Sequence, residues 1–226
     1  MSAEASDRPR NVAIIMDGNA RWAASRGLGV TEGHRAGTDT LKRTVDIAGD
    51  LGIEQLTVYA FSTENWARPE GEVSGIMSLF VERLRKEAPE LDERGVRLRI
   101  IGRRDRVHPR VREQIDWAEE LTAHHAERTL FVAFDYGGRA EILDAAEAYG
   151  GGGEEEFRKH LYAPDLKDPE LIIRTGGELR LSNFLLWEAA YSELYFSDKM
   201  WPDFDREEFE RAVSSYGARE YRFGGR

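Results

Sequence analysis

The chain of 226 residues contains no cysteine. It therefore forms no disulfide bond, and thiolate catalysis and cysteine-ligated zinc are excluded. An excess of basic residues is also missing, because 32 lysines and arginines stand against 42 aspartates and glutamates, for a net charge of -10. Nucleic-acid binding depends on a basic face that neutralises phosphates, so we expect no nucleic-acid partner.

Long apolar runs and the common nucleotide-binding loops are missing as well. No uninterrupted apolar run approaches the ~20 residues that span a bilayer, and residues 1–10 lack the apolar centre of a signal peptide. We therefore expect a soluble, cytoplasmic protein. The glycine-rich signatures of P-loop and dinucleotide-binding proteins are absent, so the ligand is not expected to be an ordinary nucleotide. The nucleophile elbow of hydrolases is absent too, which disfavours acyl transfer.

Short apolar runs alternate with longer helical patterns along the chain, which is typical of repeated βα units. We predict one α/β domain over residues 11–226, preceded by a disordered arm of residues 1–10. Residues 184–196 are apolar almost all round, so we expect them in the core or in a subunit interface. Residues 150–156 are predicted to be a flexible surface connection. The predicted strands are 12–16, 55–61, 96–101, 129–134 and 171–174, and the predicted helices are 33–51, 72–93, 109–124, 139–149 and 206–216.

The first candidate site follows the first predicted strand, residues 12–16. Asp17, Gly18 and Asn19 end the strand, and Arg21 lies in the helix-forming segment that comes next. Ligands of open α/β sheets bind at the carboxyl ends of parallel strands, and the amides of a helix N-terminus favour an anion there. A carboxylate repels an anion unless a cation lies between them, so the segment indicates a metal-bridged phosphate. A plain turn with an N-cap is the alternative.

A second candidate segment, residues 61–69, follows the next predicted strand and should lie at the same edge of the sheet. It combines hydroxyl, amide and guanidinium groups with two large aromatic rings. This mixture suits a ligand with a polar head and an apolar body. The alternative is a capped helix start with Trp66 in the core.

A third segment, residues 173–183, follows the last predicted strand. Its two adjacent glycines, 176–177, let the backbone curl so that successive amides can converge on an anion. Arg174, Arg180 and Ser182 could close around the same group with charge-assisted hydrogen bonds. A diphosphate fits this short loop of donors, and a turn with surface arginines is the alternative.

Two other features bear on metal and hydrocarbon binding. Glu193 lies within an apolar run, where a carboxylate is rarely left without a partner, so a metal or an arginine is expected beside it. One apolar stripe recurs at helical spacing, formed by Val73, Ile76, Met77, Phe80 and Leu84. Such a stripe is usually core, and it could instead line a pocket for a hydrocarbon.

Taken together, these segments resemble the cis-prenyltransferases, the family of undecaprenyl diphosphate synthase. The resemblance runs from Asn11 to Gly225 and implies a homodimer with a central, mostly parallel six-stranded sheet and a hydrophobic tunnel. Its motifs are Met-Asp-Gly-Asn-x-Arg-Trp (16–22), Gly-His-x-x-Gly (33–37), Phe-Ser-Thr-Glu-Asn-Trp (61–66), Tyr-Gly-Gly-Arg (136–139), Arg-Thr-Gly-Gly-Glu (174–178), Ser-Asn-Phe-Leu-Leu-Trp (182–187), Trp-Pro-Asp-Phe (201–204) and Arg-Phe-Gly (222–224).

The resemblance implies Mg²⁺-dependent condensation of isopentenyl diphosphate with an allylic diphosphate, expected to be farnesyl diphosphate, to give a cis-polyprenyl diphosphate. It assigns catalysis to Asp17 and Asn65 and metal binding to Asp17 and to Glu193, a carboxylate contributed near the dimer interface. The proton acceptor stays open between Asp17, a water held by Asn65 and the diphosphate itself. Transient membrane contact during release of a lipid product is a further expectation. The substrate-binding residues that it implies are Gly18, Asn19, Arg21, Trp22, Arg26, His34, Phe61, Ser62, Glu64, Trp66, Arg68, Arg174, Arg180 and Ser182.

The chain departs from the family pattern at several positions. Val30 replaces an arginine expected to contact the allylic diphosphate, Leu179 replaces a histidine or glutamine, and Tyr221 replaces one of two arginines. Phe134 replaces a small residue near the tunnel, and Arg128 is an unusual neighbour for a hydrocarbon. These changes predict weaker allylic affinity or a different starter, and a shorter product.

Two other functions stay open on the sequence. One is a short-chain synthase that stops after one or two additions. The other is a non-catalytic partner subunit that binds isoprenoid, which the presence of Asp17, Asn65 and Arg174 disfavours because a binding subunit needs no metal-handling carboxylate. A phosphatase-like hydrolase is remote because no nucleophile motif is present.

Overall fold

The computed structural model describes residues 8–218, and within them six strands form one sheet in which every pairing is parallel. The five predicted strands are confirmed, with ends that shift by at most two residues. The sixth lies in the 184–196 run and was missed, because it is a four-residue, half-buried edge strand without alternation. The strands are β1 (Asn11–Ile15), β2 (Gln55–Ser62), β3 (Val96–Ile101), β4 (Arg128–Tyr136), β5 (Leu171–Arg174) and β6 (Glu193–Phe196).

Helices cover the sheet, and the five predicted ones are confirmed with ends that shift by at most three residues. A short helix begins inside the segment predicted as a surface connection, where three glutamates in its first turn favour the helix dipole. No helix in the described part of the chain is long and apolar enough to cross a membrane. The helices are α1 (Asn19–Ala24), α2 (Val30–Asp50), α3 (Glu70–Glu93), α4 (Pro109–Thr122), α5 (Gly138–Ala148), α6 (Glu154–Arg158) and α7 (Arg206–Gly217), with 3-10 turns at Thr63–Ala67, Glu188–Tyr191 and Trp201–Asp203.

The sheet separates two apolar clusters. On one face, Val12 and Ile14 of β1 and Val58 of β2 pack with side chains from α2, α3, α4 and α7. On the other face, Ala13 and Ile15 pack under the segment that follows β5. Because the central strands are buried on both sides, they appear in the sequence as continuous apolar runs.

The order of the strands, β3-β4-β2-β1-β5-β6, places a topological switch point at β1. The connection after β1 leads to β2 on one side, whereas β5 pairs with β1 on the other side. A crevice forms outside the carboxyl ends of strands at such a point. The three predicted site segments follow β1, β2 and β5, so the topology brings them to one edge.

Two carboxyl groups are buried together on the face away from α3. Glu141 of α5 accepts hydrogen bonds from the Tyr136 hydroxyl and from the Tyr162 amide (3.1 Å). Glu188 is buried, and its Oε2 has no hydrogen-bond partner. Burial, reinforced by the negative charge of Glu141, raises the pKa of Glu188 to about 8. Glu188 is therefore held in its neutral form at pH 7.

This raised pKa predicts that stability decreases as the pH rises. The unfolded chain loses the Glu188 proton near pH 4.5 while the folded chain keeps it, so the stabilisation is complete below pH 4.5 and is lost as the pH rises toward 8. We expect the free energy of unfolding to fall by on the order of 3 kcal/mol over this range, and Glu188→Gln to reduce that slope. Urea unfolding at pH 5 and pH 8 measures it, with the exposed Glu207→Gln as control. If the free energy of unfolding changes equally with pH in the unchanged protein and both variants, Glu188 is not the group responsible.

Candidate functional site

Asp17 lies just beyond β1 between two arginines. Its Oδ2 is 2.9 Å from Nη2 of Arg174, and its Oδ1 is 3.3 Å from Nη2 of Arg21, one turn along α1. The backbone at Asp17 is fixed by Thr175, whose hydroxyl accepts from the Asp17 amide (3.0 Å) and donates to its carbonyl (2.8 Å). The carboxylate is thus held at the sheet edge by one arginine from β5 and one from α1.

The turn after Asp17 brings the backbone close to a neighbouring loop. Gly18 has φ 110°, and a Cβ there would lie 2.9 Å from Cβ of Met200, so both conformation and space require glycine. Asn19 begins α1, and its Oδ1 is buried without a hydrogen-bond partner. This unpartnered acceptor lies at the wall shared by the two cavities described below, against Gly37 of α2.

Arg174 organises the loop after β5. Its side chain is only 5% exposed, and Nη1 donates to the Arg180 carbonyl (2.5 Å) and to Oγ of Ser182 (2.7 Å). Gly176 has φ 86°, and a Cβ there would meet Nη2 of Arg21 at 2.6 Å. The glycine therefore allows cationic groups from β5 and α1 to approach each other around Asp17.

The segment after β2 forms a 3-10 turn closed by a capping box. The Ser62 amide donates to Oδ1 of Asn65 (3.0 Å), while the Ser62 hydroxyl accepts from the Asn65 backbone. Arg68 follows the turn and pairs with Glu72 in α3 at 2.7 Å. The turn thus fixes Asn65 and Arg68 on the crevice side of the sheet edge.

A polar cavity gathers most of the predicted site residues at this edge. It has a volume of about 1220 Å³, open solvent at its mouth included. Asp17 is the only carboxylate among its lining residues in the described part of the chain. The predicted residues that line it are Asp17, Gly18, Asn19, Arg21, His34, Phe61, Ser62, Asn65, Arg68, Arg174, Arg180 and Ser182.

Four predicted substrate contacts lie outside the lining of this cavity. Trp22 donates from Nε1 to Asp203 (2.7 Å), and Arg26 stacks on the Trp22 ring at 4.3 Å while pairing with the same aspartate. Trp66 packs edge-on against Phe61 at 5.3 Å, which agrees with the alternative of a core residue. Glu64 accepts from the side chain of Asn183 (2.8 Å) instead of facing the cavity.

Glu193 also lies apart from Asp17 within one chain. It begins β6 in register with Leu171 of β5, which is in turn in register with Val12 at the amino-terminal end of the sheet. Asp17 lies five residues beyond Val12, and at about 3.3 Å per residue this corresponds to roughly 16 Å along the strands. The joint metal site of Asp17 and Glu193 therefore stays a prediction.

An apolar cavity of about 920 Å³, open solvent included, continues from the polar one on the α3 side of the sheet. It runs between β4 and the helices α2 and α3, and Ile76, Phe80 and Leu84 of the predicted apolar stripe line it. Phe80 and Phe134 stack across it, with ring centroids 3.9 Å apart and planes inclined by 11°. Met16, Asn19, His34, Ala60 and Ile76 line both cavities.

His34 stands where the cavities meet. Burial lowers its pKa, and the positive charge of Arg68 lowers it further, so the ring is neutral at pH 7. Its Nε2 is buried without a hydrogen-bond partner. A neutral imidazole with an unused nitrogen can donate to or accept from a ligand at the junction of head and tail.

Several positions that depart from the family pattern can be located. Val30 is the first residue of α2, Leu179 is exposed beside Arg180, and Phe134 lines the apolar cavity. Arg128 does not line that cavity, because its guanidinium donates to the Arg94 carbonyl at the amino-terminal end of β4. Tyr221 and the 222–224 motif lie outside the described residues, as does most of the predicted arm of residues 1–10.

Some residues of the site were missed from the sequence. Tyr59 and Ala60 of β2 line the polar cavity, and Thr175 fixes the backbone of Asp17. Asn183 holds φ at 66°, a left-handed conformation that asparagine tolerates, and its Oδ1 accepts from the Arg139 amide at the start of α5 (2.8 Å). The Ser182-Asn183 pair after two glycines is the signal that could have indicated this turn.

Known proteins resemble the chain over nearly its full length. The profile of the family described as "Putative undecaprenyl diphosphate synthase" matches residues 15–224. An isoprenyl transferase of Thermotoga maritima is 51% identical, covering 96% of this chain and 97% of its own. The ditrans,polycis-undecaprenyl-diphosphate synthase ((2E,6E)-farnesyl-diphosphate specific) of Escherichia coli is 48% identical. The match covers 96% of this chain and 90% of that enzyme. The crystal structure of lavandulyl diphosphate synthase from Lavandula x intermedia in complex with dimethylallyl diphosphate superposes with a TM-score of 0.93 at 34% identity, covering 98% and 100%.

Proposed function

The chain belongs to the cis-prenyltransferase family of undecaprenyl diphosphate synthase, and we propose that it condenses isopentenyl diphosphate with farnesyl diphosphate. The product is a cis-polyprenyl diphosphate, and diphosphate is released. One observation carries this proposal: a polar cavity with Asp17 and several arginines opens directly into an apolar cavity. The first can hold charged head groups and the second a growing hydrocarbon.

Mg²⁺ is part of the proposal, and the residues present fit it. Mg²⁺ is usually held by one or two carboxylates together with substrate phosphates and water. Asp17 offers such a carboxylate, and the arginines that now neutralise it could turn to the diphosphate when a ligand binds. Asp17 would hold the ion, which would supply positive charge beside the allylic diphosphate.

The arrangement of donors suggests which head group binds where. Arg174, Arg180 and Ser182 form the cradle proposed for isopentenyl diphosphate, while Arg21 and the amides at the start of α1 face the allylic diphosphate. These donors would stabilise the charge that builds on the departing diphosphate as the isopentenyl double bond attacks the allylic C1. The C2 proton is then lost to Asp17, to a water held by Asn65, or to the diphosphate.

The apolar cavity has two proposed roles in this reaction. Its walls would exclude water from the cationic transition state, so that the allylic cation reacts with the double bond and not with water. They would also give the growing chain a place to extend away from the head groups. Phe134 stacked on Phe80 narrows this space, which supports the short-chain alternative.

Incubation of the purified protein with labelled isopentenyl diphosphate, Mg²⁺ and either geranyl or farnesyl diphosphate tests the proposal. Dephosphorylated products are then sized by chromatography. We expect a ladder ending at one length, and termination after one or two additions would select the short-chain alternative. A folded protein that incorporates nothing with either starter would favour the non-catalytic partner subunit.

A homodimer is proposed as the working form. Leu143 of α5 is 65% exposed and Tyr191 is 83% exposed, two large apolar side chains that a partner surface could cover. Strand β6 ends the sheet and is only half-buried along its length. Sedimentation of Tyr191→Asp beside the unchanged protein tests the dimer.

The cytoplasmic location and transient membrane contact stay predictions, which cell fractionation would test.

Val30→Arg is predicted to lower KM for farnesyl diphosphate about threefold to tenfold. Val30 is 42% exposed and lies one turn before His34 on the same side of α2, so an arginine there can extend toward the cavity mouth. The gain would come from one more charge-assisted contact to a phosphate. Initial rates at varied farnesyl diphosphate measure it. Leu28→Arg adds the same charge nearby and should leave KM unchanged, and an unchanged KM in Val30→Arg would overturn the prediction.

A further inference from the structure

A second group of metal-ligating side chains lies at the opposite edge of the sheet from Asp17. Asp92 is in the last turn of α3, and His124 and His125 follow α4 just before β4 begins. This is the amino-terminal end of β3 and β4, whereas the polar cavity lies at the carboxyl ends of the strands. The group therefore belongs to no part of the proposed active site.

Its three ligand atoms converge on one point. Oδ1 of Asp92 is 3.0 Å from Nε2 of His125 and 3.5 Å from Nε2 of His124. The ligand atoms of the three residues all lie within 4.8 Å of one another. A tetrahedral ion with bonds of 2.0–2.2 Å places its ligands about 3.4 Å apart. The two Asp92–histidine distances are already close to this value, and rotation of the exposed His124 side chain can bring its nitrogen to the same separation from His125.

The donor set indicates the class of ion. The centroids of the two imidazole rings lie 3.9 Å apart, so both rings can offer a nitrogen to one cation. Imidazole with one carboxylate suits zinc and similar transition metals, whereas Mg²⁺ prefers oxygen ligands alone. His125 and Asp92 are largely shielded, and His124 is 65% exposed, which leaves room for water as a fourth ligand.

We propose that Asp92, His124 and His125 form a binding site for Zn²⁺ or a similar divalent transition metal that joins the end of α3 to the α4–β4 connection. Leu91, next to Asp92, and Leu130 of β4 both line the apolar cavity. An ion at this site therefore braces the far end of that cavity. Binding to the folded state alone also raises the unfolding temperature.

Titration of the tag-free, chelator-treated protein with Zn²⁺ by calorimetry, and with Co²⁺ by visible absorption, tests this site. We expect micromolar or tighter Zn²⁺ binding with tetrahedral Co²⁺ bands, and a rise of several degrees in the unfolding temperature. His124→Ala, which changes an exposed side chain, should weaken binding at least tenfold and abolish the thermal shift, and Asp92→Asn should weaken binding too. His160→Ala removes a histidine elsewhere and should bind as the unchanged protein does.

The same titrations can overturn the site. Equal affinity in the unchanged protein, His124→Ala and Asp92→Asn would place the ion elsewhere. No heat and no Co²⁺ bands at 100 µM metal would show that the three side chains make only hydrogen bonds. Neither result depends on prenyl transfer, so the outcome is independent of the proposed function.

Discussion

Replacing Asp17 by asparagine is expected to lower kcat for isopentenyl diphosphate incorporation about a thousandfold. The carboxylate is the only one that lines the polar cavity in the described residues, so its loss removes the proposed protein ligand of Mg²⁺. Removing a single preorganised electrostatic group from an active site typically costs 10²–10³ in kcat, and here the metal ligand is lost as well. KM for farnesyl diphosphate should change less, because the arginines proposed to bind its diphosphate remain.

Asparagine is chosen so that the fold survives. Its side-chain oxygen can still accept from Arg174, whose buried guanidinium also donates to Arg180 and Ser182. Asp116→Asn makes the same change at an exposed position on α4 and should leave kcat unchanged. The measurement is single-turnover and steady-state incorporation of label, with unfolding curves for all three proteins. An Asp17→Asn enzyme within threefold of the unchanged one would remove Asp17 from the chemistry.

The polar cavity could be predicted from the sequence because it is built from segments that directly follow strands. Asp17, Ser62 and Arg174 each end a parallel strand or come just after one, and the switch point at β1 brings these ends together. Once a parallel sheet is predicted, adjacency at its carboxyl edge follows from topology. No long-range contact had to be guessed for these residues.

Residues whose position depends on side-chain direction could not be predicted in this way. Trp22 ends the same short motif as Asp17 and Arg26 follows four residues later, yet both side chains turn away to Asp203, which is distant in the sequence. A helix places consecutive residues about 100° apart, so membership of a motif does not settle which side chains face the ligand. Within one chain Glu193 lies apart from Asp17 for a related reason, since it begins its strand where Asp17 follows the end of one.

The shape of the apolar cavity is a property of packing between elements. The stripe on α3 was visible in the sequence, but core and cavity lining share the same apolar pattern. Only the distance between α3 and β4 decides between them. In this chain the stacked pair of Phe80 and Phe134 joins α3 to β4 across the cavity. Changing one of these rings therefore tests directly what limits product length.

Phe134→Ala is predicted to lengthen the main product by at least one five-carbon unit. Phe134 projects from β4 into the apolar cavity and stacks on Phe80 of α3 at 3.9 Å, so its ring blocks part of the path that a growing chain would take. Removing the ring opens space where the hydrocarbon gains the apolar contacts that the phenyl group made. Chromatographic sizing of the dephosphorylated product measures the change.

The control for this prediction comes from the same strand. Phe131 is buried on the opposite face of the sheet, so Phe131→Leu perturbs the core without touching the cavity. Truncating a buried phenylalanine to alanine costs about 3–5 kcal/mol, so Phe134→Leu is made alongside as a milder change. We expect product length to increase from the unchanged protein through Phe134→Leu to Phe134→Ala, and to stay fixed in Phe131→Leu. If folded Phe134 variants give the original length, the aromatic pair does not limit the chain and another wall of the cavity does.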